Sequence, residues 1–333
     1  MKQNSFSTEQ ASFNGISLAI DTMMQKSQDE RKSFERRWYD NNFFDDGYHF
    51  RYLSRSTGKI IDTSDKDSLN LPTRAIPKTS LQIRGIANLL ISQDPKAVIY
   101  PEKIGKGYTN PQEYQAALQE SKDIAKKSGV WLMKELENQN AKDLLTQMII
   151  LSEKHSISFL QVWPDAIEEA IRMQVYDAFD IYLVGHLTSI YDSPYIVKAA
   201  PQLISKIKAN ENFNEEQVKK ITPDNKYASS EIKEAYMKSR FGSSKASESS
   251  RTLIQKEAFI KEYLNDDNWE NVVKLGENNG VMEGKKKGDM VIRHTFSAGG
   301  LTLMDEYVNL PEYPFVDFRM EPGPIYQVPL IER

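Results

Sequence analysis

The stretch MVIRHTFSAGGLTLMDEYV, Met290–Val308, sets the fold class of this chain. On its first arm Met290, Ile292 and Phe296 alternate with other residues. Beyond Ser-Ala-Gly-Gly the alternation resumes at Leu301, Leu303 and Tyr307. A period of two on both sides of a glycine pair is the pattern of two half-buried strands joined by a tight turn. His294 falls on the inward face of the first arm, where a histidine is expected to be a hydrogen-bonded core residue and not a catalyst.

The strand texture begins much earlier. Ile157–Trp163, ISFLQVW, is apolar on both faces, and from Ile171 the odd positions Ile171, Met173, Val175, Phe179, Ile181 and Leu183 alternate. Thirteen residues is long for one strand, so a bend is expected near Asp177. Asp177 sits on the apolar face, and a bulge or turn that rotates it to solvent is the expected solution.

The first half reads as helices. Ser7 with Gln10 has capping-box spacing, and the run from there to about Asp40 contains QKSQDERKSFERRWYD, so a solvated or partner-facing helix is expected. YHFRYLSRSTGKII after Gly47 suggests two short strands around a Ser-Thr-Gly turn. Thr79–Ser92 reads as a helix with Leu81, Ile86, Leu89 and Leu90 inward, ended by Gln-Asp-Pro. Asn110, Pro111 and Glu113 mark the start of another helix, whose stripe Ile124, Trp131, Leu132 and Leu136 is expected to face a neighbour. Leu144, Leu145, Met148 and Ile149 define one more.

Short helices are expected within 202–219 and 230–239. The segment 239–251, SRFGSSKASESSR, has six serines in thirteen residues and reads as a loop or linker. Helices and strands fall in blocks and not as alternating βαβ units, which gives an α+β class. The division is a mainly helical part over 1–156 and a β-rich part with antiparallel hairpins over 157–333.

The 43 basic and 47 acidic residues give a net charge of −4, which excludes a globally basic nucleic-acid binder and leaves room for a local basic patch. The chain has no cysteine, hence neither disulfides nor thiolate metal sites. No run approaches the roughly 18 apolar residues of a membrane span, and no classical signal opens the chain.

Motifs for chemistry are sparse. Gly105 and Gly107 lie between a predicted strand and helix, but Asn110 stands where a dinucleotide fingerprint needs glycine, and no P-loop follows. The four histidines, His49, His155, His186 and His294, are dispersed without metal-ligand spacing. No Gly-x-Ser-x-Gly elbow occurs. Asp165, with Glu168, Glu169, Asp177 and Asp180 after it, is the best centre for two-metal phosphodiester chemistry, which requires these carboxylates to converge. Lys285, Lys286 and Lys287, flanked by Gly284 and Gly288, form a basic loop tip that a cyclic assembly would multiply into a belt able to contact DNA backbone.

Two stretches, QVWPDAIEEAIRMQVYDAFDIYL and HTFSAGGLTLMDEYVNLPEYPFVDFRMEPGPIYQVPLIER, resemble the portal proteins of short-tailed and crAss-like bacteriophages. LNLPTRAIPKTSLQIRGIANLLISQDPKAVIYP resembles the early wing segment of that family, and the likeness covers most of the chain from about Phe34. Gln327 follows Tyr326 where many portals carry glycine. The segment from Leu310, with Pro311, Pro314, Pro322, Pro324 and Pro329, resembles the approach to the portal stem helix. The resemblance therefore implies the N-terminal wing portion, with stem, clip and crown absent from this chain.

It implies a structural subunit of a dodecameric ring at one capsid vertex of the virion, assembled in the host cytoplasm. Double-stranded DNA would pass through the ring during packaging and ejection. The terminase large subunit, a head-tail adaptor, and tail and capsid proteins would be its partners, with no membrane. No active site, cofactor or metal is implied, and a mildly acidic subunit suits a conduit that must not hold DNA. Two other readings stand beside it: a metal-dependent phosphodiesterase or nuclease centred on Asp165, and a partner-binding scaffold built around the charged N-terminal helix.

Overall fold

A computed structural model describes residues 15–47, 51–54, 60–62, 78–92, 98–101, 110–165, 170–224, 226, 228–241, 251–276, 280–282 and 284–327. The expected features at Ser7, His49, Gly105, Gly107, Glu168, Glu169 and 242–250 lie outside these residues.

Helix α1, Gly15–Asp45, runs 31 residues without an internal proline or glycine. It stops where Gly47 takes a φ of 82°, a left-handed conformation suited to glycine, and its N–H reaches the Phe44 carbonyl at 3.1 Å. The short strands β1, Arg51–Leu53, and β2, Ile60–Asp62, pair antiparallel as expected. Helices α2, Lys78–Leu90, α3, Pro111–Asn138, and α4, Ala141–His155, follow. Asn110 caps α3 as anticipated, its Oδ1 accepting the Gln112 N–H at 3.0 Å.

The remaining chain builds two antiparallel sheets. Strands β3, Ile157–Asp165, and β4, Ala170–Asp177, form a hairpin, and β10, Phe315–Arg319, adds to β3 to give the order β10-β3-β4. The second sheet has the order β5-β6-β7-β8-β9, with β5 Ile181–Tyr182, β6 Tyr195–Leu203, β7 Thr252–Tyr263, β8 Met290–Ala298 and β9 Leu301–Val308. The β8–β9 turn is Gly299–Gly300, both with positive φ (59° and 78°), which the two-residue connection demands. Helices α5, Ile204–Lys208, α6, Glu215–Val218, and α8, Trp269–Gly276, decorate the second sheet, and α7, Glu231–Phe241, packs beside α1. The blocks of helix and antiparallel strand make the chain α+β.

The long alternating stretch from Ile171 does break at Asp177. The turn Ala178–Asp180 carries the chain from one sheet to the other, so its two halves belong to different layers. One face of the five-stranded sheet, with Val197, Ala258 and Ile260, packs on Ile16, Ile20 and Met23 of α1. The opposite face, with Ile196, Phe259 and Ile292, meets Phe159 and Phe315 of the three-stranded sheet and Trp38, Tyr39 and Phe43 of α1 in the principal core. The core thus joins residues on both sides of position 156.

Two expectations are corrected. Helix α1 is not solvated all round: Arg31, Glu35, Trp38 and Tyr39 are fully buried, because its second half packs into the principal core and its charges find partners in the 178–181 turn and at Ser230. On α2 the buried apolar residues are Ile83 and Ala87, and Ala87 with Ile91 just past the helix end packs on Ile149 of α4, while Leu81, Leu89 and Leu90 are exposed. This helix carries apolar residues on two faces, so periodicity alone does not select the inward one, and the small Ala87 allows close approach to α4.

The proline-rich segment is docked into the body as far as Gln327. Pro314 accepts a hydrogen bond from the Val162 N–H at 2.9 Å, and the Tyr313 hydroxyl donates to the Ser193 carbonyl at 2.8 Å. Tyr326 lies against Gly185, where an added Cβ would come within 2.0 Å of its ring, and its ring packs on Trp38 at 5.6 Å.

Candidate functional site

Buried ionisable residues cluster at α1 and the sheet-switching turn, at Lys233 of α7 and in the cleft between the sheets, while Arg293 pairs with Asp305 at 2.6 Å across β8 and β9. In the first, the Arg31 guanidinium donates to the carbonyls of Ala178, Phe179 and Ile181, pairs with Glu35 at 2.6 Å and lies 3.8 Å over the Tyr182 ring. Burial alone would lower its pKa, but Glu35, Tyr182 and Tyr326 hold it above the ordinary value. Glu35 also accepts a hydrogen bond from Ser230 at 3.0 Å, so this pair binds α1 to the sheet-switching turn and to the start of α7.

The second cluster holds Asp177 and Asp180 against Lys233 of α7, at 2.8 and 2.6 Å. Asp177 is therefore not rotated to solvent: Lys233 supplies a counter-charge inside, and the same carboxylate accepts the Phe179 N–H at 2.8 Å. Burial and the neighbouring Asp177 push Asp180 up to about 6, whereas Lys233 and His155 outweigh burial and hold Asp177 below its usual value. Burial pushes His155 down to about 4; its Nε2 lies 3.1 Å from the Asn42 Oδ1.

The third cluster lines a cleft of about 710 Å³ between the sheets. Lys198 of β6 forms an ion pair with Glu257 of β7 and donates to the Gln161 Oε1 of β3 at 2.8 Å. His294 of β8 reaches Glu257 at 3.1 Å and Glu306 of β9 at 3.5 Å, and stacks on Phe259 with centroids 4.3 Å apart. His294 is thus satisfied, as its inward position suggested. Burial works against ionisation of all three central groups. Lys198 and His294 nonetheless hold Glu257 down at about 2, while their carboxylate partners raise Lys198 and His294.

The residues singled out in the sequence do not gather into one site. Asp165 pairs with Arg172 at 3.3 Å and lies opposite Ala170 in the hairpin register, while Asp177 lies opposite Ser158. Seven strand positions, or about 23 Å at ~3.3 Å per residue, separate Ala170 from Asp177. Among the described residues no group of three or more His, Asp or Glu is placed to hold a metal ion. His186 is exposed and stands 3.8 Å from Glu30.

The basic tip lies between α8 and β8, with Gly284 and Gly288 at φ of 71° and 93°. Lys285 folds back to donate to the Met290 carbonyl at 3.1 Å, Lys287 pairs with Asp266, and the Lys286 side chain is exposed.

Sequence reasoning did not anticipate the extent of apolar surface left on the helices. Helix α3 buries only Ala125 and Glu135 among its 28 residues, and Ile124 and Trp131 are 58% and 47% exposed. Beside it Val98 and Ile99 border a groove with Val130 and Met133, and on α2 Leu89 is 76% exposed. Stripes of this kind on solvent-facing helices mark surfaces for association. Among the described residues no helix is long and apolar enough to cross a membrane. No protein-family model matches this chain, and a search of curated proteins gives no match.

Proposed function

We propose that this chain is a structural subunit of a phage portal ring, the wing portion of a conduit for double-stranded DNA during packaging and ejection. It works by geometry and makes or breaks no bonds. It sits at the portal vertex of the virion, with the terminase large subunit, head-tail adaptor, tail and capsid proteins as partners. The observation that carries this reading is the uncovered apolar surface of α2, Val98–Tyr100 and α3, which a second copy of the chain would cover in a cyclic array. The order of the three portal-like stretches supports it. They map onto α2, onto the β3–β4 hairpin with its sheet switch, and onto the β8–β9 hairpin with the docked segment after it. Lys286 is the residue through which each subunit would touch DNA backbone, with Lys285 and Lys287 supporting the tip.

The test is negative-stain imaging of the protein beside a Leu89→Asp/Trp131→Asp variant. Both side chains are exposed, so the variant keeps its core. Annular particles in the wild type that dissociate in the variant are expected. Particles of unchanged size in the variant would remove the α2–α3 surface as the subunit contact.

A further inference from the structure

We propose that the wedge between the two sheets is a binding site for a neutral, hydroxyl-rich ligand, a short carbohydrate. The sheets meet where Phe315 packs on Phe259, with centroids 5.8 Å apart, and Gln161 bridges them by hydrogen bonds with Lys198 at 2.8 Å and Glu257 at 3.2 Å; the cleft lies beside this bridge, lined also by Trp163, Gln202 and Asn309. The resulting cleft of about 710 Å³ falls within the roughly 300–1,000 Å³ typical of small-molecule sites. Paired sheets ordinarily fill such a layer with interdigitated apolar side chains. Here amides and ions, among them Gln202, Gln255, Lys198 and Glu257, share the cleft wall with apolar side chains such as Trp163, Phe213 and Phe296.

The charges in the wedge restrict the ligand. Lys198 is matched by Glu257, and His294 lies between Glu257 and Glu306, so each buried ion already has its counter-ion. An anionic ligand placed deep in the cleft would meet Glu257 and Glu306, and a cationic one would meet Lys198. A charged ligand would therefore lose its hydration without gaining an unmatched partner. Lys206 stands exposed at the mouth, where solvent and salt screen it.

A purely apolar ligand is also disfavoured. The side chains of Gln202, Gln255 and Asn309 line the cleft and form no hydrogen bond to any described residue. Covering them with hydrocarbon would strand donors and acceptors together. The opposite requirement comes from the aromatic wall, in which Phe296 lies 5.2 Å from Phe213 and 4.9 Å from His294. A sugar meets both demands, because its ring presents C–H groups on one face and its edge carries hydroxyls that both donate and accept.

Titration calorimetry and saturation-transfer NMR on the intact chain would use maltotriose, cellotriose and tri-N-acetylchitotriose as neutral probes. AMP and the tripeptide Ala-Gln-Ala serve as the charged and peptide comparators. At least one trisaccharide is expected to bind, and Gln202→Ala and Gln255→Ala should each weaken it about tenfold, the value of one hydrogen bond. Neither amide supports the fold, so the unfolding midpoint of these variants should match the wild type. Failure of all three trisaccharides to bind would overturn the proposal. So would binding of AMP or the peptide alone, or trisaccharide affinity unchanged by both substitutions.

Discussion

Replacing Arg31 by methionine is the sharpest single perturbation of this fold. The guanidinium is fully buried, donates to three carbonyls of the sheet-switching turn and neutralises Glu35. Methionine fills similar volume but supplies none of these bonds. Stranding each carbonyl costs ~1 kcal/mol at the low end, and a buried carboxylate left without its partner costs ~3 kcal/mol or more. The expected loss is therefore about 6 kcal/mol, a large part of the ~5–15 kcal/mol that stabilises a typical domain. In thermal unfolding the midpoint should fall by about 9 °C. Lys32→Met, on the exposed side of the same turn, is the control and should stay within ~0.5 kcal/mol of wild type. Arg31→Met/Glu35→Met should lose less than the two single changes combined, because Glu35 without Arg31 is itself destabilising. An Arg31→Met midpoint within ~2 °C of wild type would refute the view that this ion pair holds α1 to the sheets.

Other substitutions separate the roles of neighbouring groups. Asp180→Asn should be neutral or stabilising at pH 7, because its charged form is disfavoured in the fold, whereas Asp177→Asn should cost about 2 kcal/mol; denaturant titration of both checks this. The pH dependence has opposing parts. Asp180, raised from 3.8 to about 6, removes stability as pH rises across that window. His155, lowered from 6.5 to about 4, adds stability as pH rises between those values. Asp180→Asn should therefore gain stability from pH 4.5 to 6 more steeply than wild type, and His155→Gln less steeply, as read by chemical denaturation at each pH. Gly185→Ala should displace Tyr326, costing about 2 kcal/mol and altering the near-ultraviolet circular dichroism of the Trp38 environment. On the proposed reading, Lys286→Ala should reduce contact with DNA backbone more than Lys287→Ala, whose side chain already pairs with Asp266, in a salt-titrated binding assay.

Features written in a few adjacent residues were legible in the sequence. The Gly299–Gly300 hairpin and the Asn110 cap depend on local backbone geometry, and both stand where the sequence puts them. The break at Asp177 was legible from strand length, but its consequence, a change of sheet, was not. The polar run of α1 misled because Arg31 finds its carbonyl acceptors 147 or more positions away and Glu35 finds Ser230 across 195. A charged helix in contact with distant strands has the same local pattern as one in water. The cleft escaped notice for a similar reason, since Gln161, Lys198, Glu257 and His294 come from four strands and only the inward position of His294 was readable. The two apolar faces of α2 could not be ranked until α4 was in place.

Native mass spectrometry of the protein tests the central claim most directly. A cyclic subunit predicts one dominant closed assembly at an integer multiple of the monomer mass, persisting on dilution and lost in Leu89→Asp/Trp131→Asp. A spectrum containing only the single-chain mass across micromolar concentrations would contradict it.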